Sequence, residues 1–533
     1  MAAKGFQLYD TTLRDGTQQE GLVLTVEDKL AVARHLDAFG VGFIEGGWPG
    51  AVPKDTEFFR RARTELPLRN AQLAAFGATR RPGTAVSADP QVRALLESGA
   101  PVVTLVAKAD TRHVELALRT TLAENLAMIG STVRHLVHSG RRVFVDAEHY
   151  FDGYRANREY ALEVVRTAAE AGAEAVVLCD TNGGSLPDGI RETVAATIEA
   201  TGVRVGIHCH DDTGCAVANT LAAVDAGATH VQGTAHGYGE RCGNANLFTV
   251  AANLVLKRGL DILPPARLAT MAEAGRAIGE LTGRPAEAAA PYIGPSAFTH
   301  KGGLHASALR IDPDLYQHID PAVVGSRMRT LVSDMGGRSS IELKARELGY
   351  EVTAGSEPVA RAAARIKEME NRGYSFESAD ASFELLLREE LYGYAGDGLF
   401  AVDSWAVSVE HRTAVTVTEA RVRLRVDGVP LMAIGRGNGP VNALDRALHQ
   451  ALDPVFPDVA RLELADYQVR VPTGRHGSAG PVRVLATFTD GERRWSTVGV
   501  DENLVAASWQ ALVDAVRYTL LDTPAPARLT VGA

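Results

Sequence analysis

The segment IHCHDD, at residues 207–212, carries the strongest chemical signal in the sequence. Side chains at positions i and i+2 of a strand lie on the same face, so His208 and His210 project together. Two imidazoles placed in this way can chelate one cation. Neighbouring hydrogen bonds could equally satisfy such a pair, so the metal interpretation depends on further ligands elsewhere in the chain.

Two other segments supply such ligands. LYDTTLRDGTQQEG, at residues 8–21, follows a short apolar run with Arg14 and Asp15, and GYGERCGNAN, at residues 237–246, contains Asn244. Asp15 offers an anionic oxygen and Asn244 a neutral carbonyl oxygen. With the two histidines they form a mixed nitrogen and oxygen set, which suits Mn²⁺, Mg²⁺, Zn²⁺ or Co²⁺ better than a structural zinc held by thiolates.

This ligand set also indicates a class of substrate. A six-coordinate ion with four protein ligands keeps two positions, which a 2-keto acid fills with its keto oxygen and one carboxylate oxygen. The ion and Arg14 would then polarise the carbonyl and stabilise the alkoxide formed on attack.

These residues are far apart in the chain, so the fold must bring them together. From residue 6 to about 265, short apolar runs alternate with longer segments of helical periodicity, a pattern typical of parallel β/α units. The predicted strands span residues 6–9, 42–45, 73–76, 102–106, 143–145, 175–178, 205–207 and 229–232. Eight such units in about 250 residues favour a closed (β/α)₈ TIM barrel over a doubly wound open sheet.

The barrel prediction tests the site independently, because active sites of such barrels lie at the carboxyl ends of the strands. The predicted strands end close to the polar residues of interest. Those residues are Arg14, Asp15, Glu45, Asp146, Glu148, Asp180, Thr181, His208, His210, His236, Glu240 and Asn244.

The pattern changes after residue 265. Residues 266–395 are predicted to be mostly helical linker subdomains, and residues 396–533 to form an α+β domain. In that last segment a ββα unit occurs twice, ending once in PVNALDRALHQAL and once in LVAASWQALVDAVRYTLL. We therefore predict a catalytic barrel over 1–265, a helical linker region and a regulatory or dimerisation domain.

Composition excludes several classes of protein. A formal net charge of −10 argues against nucleic-acid binding, which requires clustered Lys and Arg. The sequence contains no run of about 18 apolar residues, so it predicts no membrane-spanning helix. The four cysteines include no Cys-x-x-Cys pair and form no disulfide framework, so we expect a reducing, cytoplasmic compartment.

The motifs LRDG at strand one, HCHDD at strand seven and GERCGNAN at strand eight resemble the condensing enzymes of the DRE-TIM metallolyase superfamily. These include isopropylmalate, homocitrate and citramalate synthases. EGGWPGAVPKDTEFF, FVDAEHYFDGY, THKGGLHASA and YQHIDPAVVG are similar to the citramalate synthase branch, as is the repeated tail. The resemblance covers nearly the whole chain.

The resemblance implies condensation of acetyl-CoA with pyruvate to (R)-citramalate and CoA, in isoleucine biosynthesis. It implies a divalent metal ion, a homodimer and an amino-acid effector, isoleucine, bound by the C-terminal domain. Matching by motif gives the following roles: Asp15, His208, His210 and Asn244 as metal ligands, Arg14 polarising the keto acid, Thr181 holding its carboxylate, Glu148 in enolisation, and His305 and Tyr316 as catalytic residues from the linker region.

Several alternatives stay open. Glu148 could be a solvated carboxylate, His305 a packing or capping residue, and Tyr316 a core residue. The nearest alternative function is that of 2-isopropylmalate synthase, which differs in the side chain of the keto acid. A carbon–carbon lyase is less favoured because the Gly-Cys-Pro loop of the lyases is absent. A sensor without catalysis would not need a metal with open positions.

Overall fold

The structure, a computed structural model, describes residues 5–393, 399–413, 415–471 and 479–521. It divides into two compact units. The barrel unit comprises Met1–Phe298 and Ile319–Arg327, and the second unit comprises Thr299–His318 and Met328–Ala533. The three-part division predicted from the sequence stays a prediction.

Eight parallel strands close a barrel in chain order, with β1 paired to β8. This confirms the predicted TIM barrel and excludes the open sheet. The strands are β1 Gln7–Asp10, β2 Phe43–Gly47, β3 Gln72–Ala78, β4 Val102–Lys108, β5 Arg142–Glu148, β6 Ala175–Asp180, β7 Val205–Cys209 and β8 His230–Gly233.

The observed strands extend further toward the barrel mouth than the apolar runs predict. We expected strand five to end at residue 145, but Asp146 and Glu148 pair with Val106 and Lys108 of β4. Apolar periodicity misses such positions because a polar residue can continue a hydrogen-bond ladder. Asp146, Glu148, Asp180 and His208 therefore lie within strands rather than in the loops that follow them.

Helices surround the barrel. They are α1 Val26–Phe39, α2 Pro53–Glu65, α3 Pro90–Glu97, α4 Leu122–His138, α5 Tyr150–Ala156, α6 Arg158–Glu170, α7 Pro187–Thr201, α8 Ala216–Asp225, α9 Leu247–Leu256, α10 Pro265–Leu268 and α11 Met271–Thr282. Residues at its two ends set the limits of α1. Thr25 and Asp28 form a capping box at its start, and Gly40 ends it with φ of 107°.

The barrel interior has an apolar base and a polar mouth. The base is filled by Tyr9, Phe43, Ala74, Val102, Phe144 and Ala175, which form a cluster of their own. The Tyr9 hydroxyl donates to Glu45 Oε1 at 2.7 Å and lies 2.6 Å from Thr104 Oγ1. This base supports the polar residues from below and restricts chemistry to the mouth.

The second unit contains the predicted duplication. Its first part has β9 Thr299–His300, β10 Arg329–Thr330, α12 Gly303–Leu309, α13 Arg338–Glu347, α14 Glu357–Asn371 and α15 Asp380–Tyr392. Two antiparallel three-stranded sheets follow, each with one helix: β11 Ala401–Arg412, β12 Val415–Val426, β13 Val429–Gly437 and α16 Pro440–Leu452, then β14 Glu463–Arg470, β15 Val482–Thr489, β16 Arg494–Asp501 and α17 Leu504–Thr519. Each copy has three strands before its helix, so the predicted ββα unit was one strand short, because the first strand of each copy is mostly exposed and lacks a clear apolar pattern.

Among the residues that the structure describes, no helix combines the length and apolar character needed to cross a membrane.

A buried ion pair fixes the loop that follows β2. Asp55, in α2, contacts the ammonium of Lys29 and accepts a hydrogen bond from the Trp48 backbone at 2.8 Å. Gly47 has φ of 133°, and a Cβ there would lie 2.3 Å from the Asp55 carboxyl carbon. Only glycine therefore allows this close approach.

Asp55→Ala should lower the free energy of unfolding by about 3 kcal/mol, because it leaves the buried Lys29 charge without its partner. Urea denaturation followed by circular dichroism measures the change. The control is Glu57→Ala in the same helix, which removes an exposed ion pair with Arg60 and should leave the transition unchanged. Equal urea midpoints for Asp55→Ala and the parent protein would contradict a stabilising role of the Lys29–Asp55 ion pair.

Candidate metal centre and active site

Three of the four predicted metal ligands converge at the barrel mouth. Asp15 Oδ2 lies 3.3 Å from His208 Nε2 and 3.8 Å from His210 Nε2. One ligand atom from each of the three residues lies within 4.8 Å of the others, and all three residues are buried. His208 is in β7 and His210 follows it, as the i and i+2 spacing predicts.

Asn244 reaches the same region through the loop after β8. Its backbone forms an isolated bridge with His210, and its Nδ2 donates to the Tyr238 carbonyl at 3.0 Å. The loop depends on Gly243, where φ is 92° and a Cβ would lie 2.1 Å from the Gly237 carbonyl oxygen. A side chain there would displace Asn244 from His210.

Unsatisfied polar atoms show that these residues fit a divalent cation. Asp15 Oδ1, Asn244 Oδ1 and His210 Nδ1 are buried without a hydrogen-bond partner in the described part of the chain. Buried polar atoms are rarely left without a partner, and a cation between these side chains would bind the lone pairs of the two oxygens. Carboxylate, amide and imidazole donors suit Mn²⁺, Mg²⁺, Zn²⁺ or Co²⁺.

The charges at the mouth also favour a cation. Burial tends to raise the pKa of Asp15, but Arg14 and His208 hold it well below its ordinary value. Burial raises the pKa of Asp146 to about 7, with a further contribution from the negative charge of Glu45. Asp15, Glu45 and Asp146 thus all act electrostatically on the guanidinium of Arg14, and a divalent ion would favour the ionised forms of these carboxyl groups.

The histidines respond to these charges in opposite directions. Burial lowers the pKa of His208, but its contact with Asp15 outweighs burial and raises the pKa above the ordinary value. Burial and the neighbouring His208 lower the pKa of His210 to about 4. His210 is therefore neutral near pH 7, the form that a metal ligand requires.

Arg14 is held rigidly beside this cluster. Its Nε donates to Glu45 Oε2 at 2.6 Å, and its Nη1 lies 3.2 Å from Asp15 Oδ2. The Phe76 ring covers the guanidinium, with 3.9 Å from Cζ to the ring centroid. The pKa of Arg14 is raised because the attraction of Glu45 and Asp15 exceeds the effect of burial. A fixed cation thus lies next to the predicted metal position.

Glu148 and Thr181 lie at the neighbouring ends of β5 and β6. Glu148 contacts the Lys108 ammonium, and its side chain is 24% exposed, so it is accessible from solvent. The Thr181 hydroxyl accepts a hydrogen bond from the His149 backbone at 2.8 Å. Its own O–H is therefore available to a ligand.

His305 and Tyr316 belong to the second unit. Their rings stack with centroids 4.0 Å apart, and both residues are exposed within the described structure. The exposed fraction of Tyr316 is 39%, so it is not a core residue. Their catalytic roles stay predictions.

Four further residues of the mouth had no role predicted from the sequence. Glu45 and Asp146 are among the polar residues predicted near the strand ends, but no sequence signal links them to Arg14 or to a histidine. Phe76 and Gln232 are the last residues of two predicted strands, and nothing in the local pattern shows that they face the site.

Comparison with known proteins gives the family. Residues 5–278 match the HMGL-like family, 292–374 the homocitrate synthase post-HMGL domain, and 377–520 the LeuA allosteric (dimerisation) domain. The (R)-citramalate synthase of Streptomyces coelicolor is 60% identical over 97% of this chain and 97% of its own. The chain belongs to the (R)-citramalate synthase family. It is an acyl-transferring condensing enzyme.

Other relatives support this choice within the superfamily. The (R)-citramalate synthase of Aquifex aeolicus is 47% identical over 98% of both chains. A probable 2-isopropylmalate synthase of Methanopyrus kandleri is 34% identical over 96% of this chain and 97% of its own. The predicted citramalate synthase resemblance is confirmed over the isopropylmalate alternative. Enzymes with the HMGL-like domain depend on divalent metal ions, which agrees with the Asp15, His208 and His210 cluster.

His208→Ala should weaken binding of Mn²⁺ by about 100-fold or more, since it removes a ligand of the cluster. Calorimetric titration of metal-free protein measures the dissociation constant, and circular dichroism verifies the fold. The control is His138→Ala, an exposed histidine in α4, which should bind Mn²⁺ like the parent protein. An unchanged dissociation constant in His208→Ala would exclude this metal site.

Proposed function

We propose that the protein condenses acetyl-CoA with pyruvate and water to give (R)-citramalate and free CoA. The observation that carries this proposal is the Asp15, His208 and His210 cluster directly beside the fixed guanidinium of Arg14. A divalent ion held by this cluster, together with the Arg14 guanidinium, would bind and polarise a chelating 2-keto acid. The family members are named for (R)-citramalate, whose carbon skeleton is that of pyruvate with a two-carbon acetyl unit added at C2, so we take pyruvate as that acid.

The keto acid would be oriented by Arg14 and Thr181. Among the described residues, Arg14 uses Nε–H for Glu45 and one Nη1–H for Asp15, which leaves further N–H donors for a substrate oxygen. The Thr181 hydroxyl already accepts a hydrogen bond and has its proton to donate to the substrate carboxylate. A divalent ion held by Asp15, His208, His210 and Asn244 would act as a Lewis acid on the keto group.

Glu148 would take a proton from the methyl carbon of acetyl-CoA. The carbanion equivalent then forms the new carbon–carbon bond at C2 of pyruvate, while Arg14 donates an N–H to the oxygen that gains negative charge. The proton taken by Glu148 returns to the C2 oxygen, giving the hydroxyl group and regenerating the carboxylate. Water then cleaves the thioester: its OH stays on the acyl carbon as the new carboxyl group, and its remaining proton leaves on the CoA thiol. His305 and Tyr316 are further candidates for proton transfer in these steps.

The second unit supports a regulatory role. Residues 377–520 match a domain described as allosteric and dimerising, and the duplicated strand–helix unit lies in this segment. We propose that the protein is a homodimer whose C-terminal domain binds isoleucine, which places the reaction in isoleucine biosynthesis. The cytoplasmic location stays a prediction.

Pyruvate should be preferred over 2-ketobutyrate, 2-ketoisovalerate and 2-ketoglutarate by at least about 100-fold in kcat/KM, a difference that pocket contacts with a substrate side chain can supply. Release of the CoA thiol from acetyl-CoA by the metal-loaded protein measures this. Isoleucine should inhibit, and leucine serves as the control effector. A preference for 2-ketoisovalerate would replace the proposal with isopropylmalate synthesis.

Glu148→Gln should lower kcat by about 10²- to 10⁴-fold, because the amide cannot accept the methyl proton. The KM for pyruvate and the affinity for Mn²⁺ should not change. The control is Glu163→Gln. Glu163 lies in α6, pairs with Arg166 and has a side chain that is 51% exposed, so this variant should keep the parent kcat. Near-normal turnover by Glu148→Gln would assign the base to another residue.

A further inference from the structure

Gln232 contacts one of the metal-ligating histidines from inside the barrel. It lies in β8 and is fully buried. Its Oε1 is 2.8 Å from His208 Nδ1, and its Nε2 is 2.9 Å from Asp146 Oδ1 and 3.4 Å from His230 Nε2. All polar atoms of the amide therefore have neighbours in the described structure.

These neighbours determine which way the amide points. The ionised Asp146 carboxylate has only acceptor oxygens, so in that form it faces the amide nitrogen. His230 also requires the amide nitrogen on its side. Gln7 Nε2 donates to Glu174 at 2.6 Å, so Gln7 Oε1 faces His230 and accepts from its Nδ1 at 2.9 Å. His230 Nε2 is then an acceptor. Both hydrogens of the Gln232 amide thus have acceptors, and its oxygen must face His208.

The orientation of the amide in turn determines the tautomer of His208. A carbonyl oxygen only accepts, so the facing Nδ1 must carry a proton. In the neutral ring Nε2 then has the lone pair, and Nε2 is the atom that faces Asp15 at 3.3 Å. This is the nitrogen that a shared ion would contact.

We infer that Gln232 is a positioning residue that holds His208 with its proton on Nδ1 and its Nε2 lone pair directed to the divalent ion. This inference rests on the proposed metal site. Groups that accept from the remote nitrogen of a ligating histidine fix its ring and typically change metal affinity by 10- to 100-fold.

The effect should be confined to His208. His210 Nδ1 is buried without a hydrogen-bond partner in the described residues, so no such contact fixes its tautomer. A matched arrangement exists toward the base of the barrel, where Gln7 bridges Glu174 and His230. Gln7 is also buried and, within the described structure, contacts no metal ligand, and without Gln7 the Asp146 Oδ1 still accepts from the Gln232 amide at 2.9 Å, so Gln7 serves as the control.

The test is titration of the metal-free full-length protein with Co²⁺, followed by calorimetry and by visible absorption. Gln232→Met should raise the dissociation constant about 10- to 100-fold and alter the Co²⁺ spectrum. Gln7→Met removes the same hydrogen-bonding groups and should change the constant by less than about twofold. Gln232→Glu keeps an acceptor for His208 Nδ1 and, with one proton shared between its other oxygen and Asp146, should retain most of the affinity.

Equal Co²⁺ affinity in Gln232→Met and the parent protein would overturn the inference and leave the metal site intact. Absence of binding by the parent protein would instead refute the metal site itself. If Gln232→Met does not fold, histidine-selective ¹⁵N spectra of the Zn²⁺-loaded parent protein show which ring nitrogen of His208 carries the proton. The signal that is missing from the spectrum of His208→Ala is assigned to His208. A proton on Nδ1 of His208 is expected, and a proton on Nε2 overturns the inference.

Discussion

Compensation of buried negative charge at the barrel mouth determines most of the site. Asp15, Glu45 and Asp146 are all nearly inaccessible to solvent, and buried charges are stable only when they are paired and hydrogen-bonded. Arg14 pairs with Asp15 and Glu45, and a cation near Asp15 would further stabilise the ionised carboxyl groups. The neutral His210 and the oxygens of Asp15 and Asn244, which have no hydrogen-bond partner among the described residues, complete a position suited to a cation.

The barrel makes this arrangement possible by separating packing from chemistry. Its base is filled by aromatic and aliphatic side chains, and Tyr9 joins that base to the mouth through its hydrogen bond to Glu45. Two buried glutamines, each hydrogen-bonded to a histidine and a carboxyl group, show the same separation. The Gln7 bridge lies toward the base and has no ligand to orient, whereas the Gln232 bridge ends at His208.

The second unit has a different physical basis. Its sheets are antiparallel, and each has one helix packed on one face, so its core forms without the barrel strands. A duplicated unit of this kind suits binding and association, which agrees with the match to an allosteric and dimerisation domain. His305 and Tyr316 stack within the same unit, on a segment that precedes the duplication.

The sequence by itself determined the alternation of strands and helices, the number of barrel strands, the duplicated tail and the residues Arg14, Asp15, His208, His210 and Asn244. These follow from local periodicity and from short motifs, which need no knowledge of distant neighbours. Only the tertiary structure decided what surrounds them. Glu45, Phe76, Asp146 and Gln232 come from four different strands, and their contacts depend on the register of the closed barrel, which local pattern does not encode.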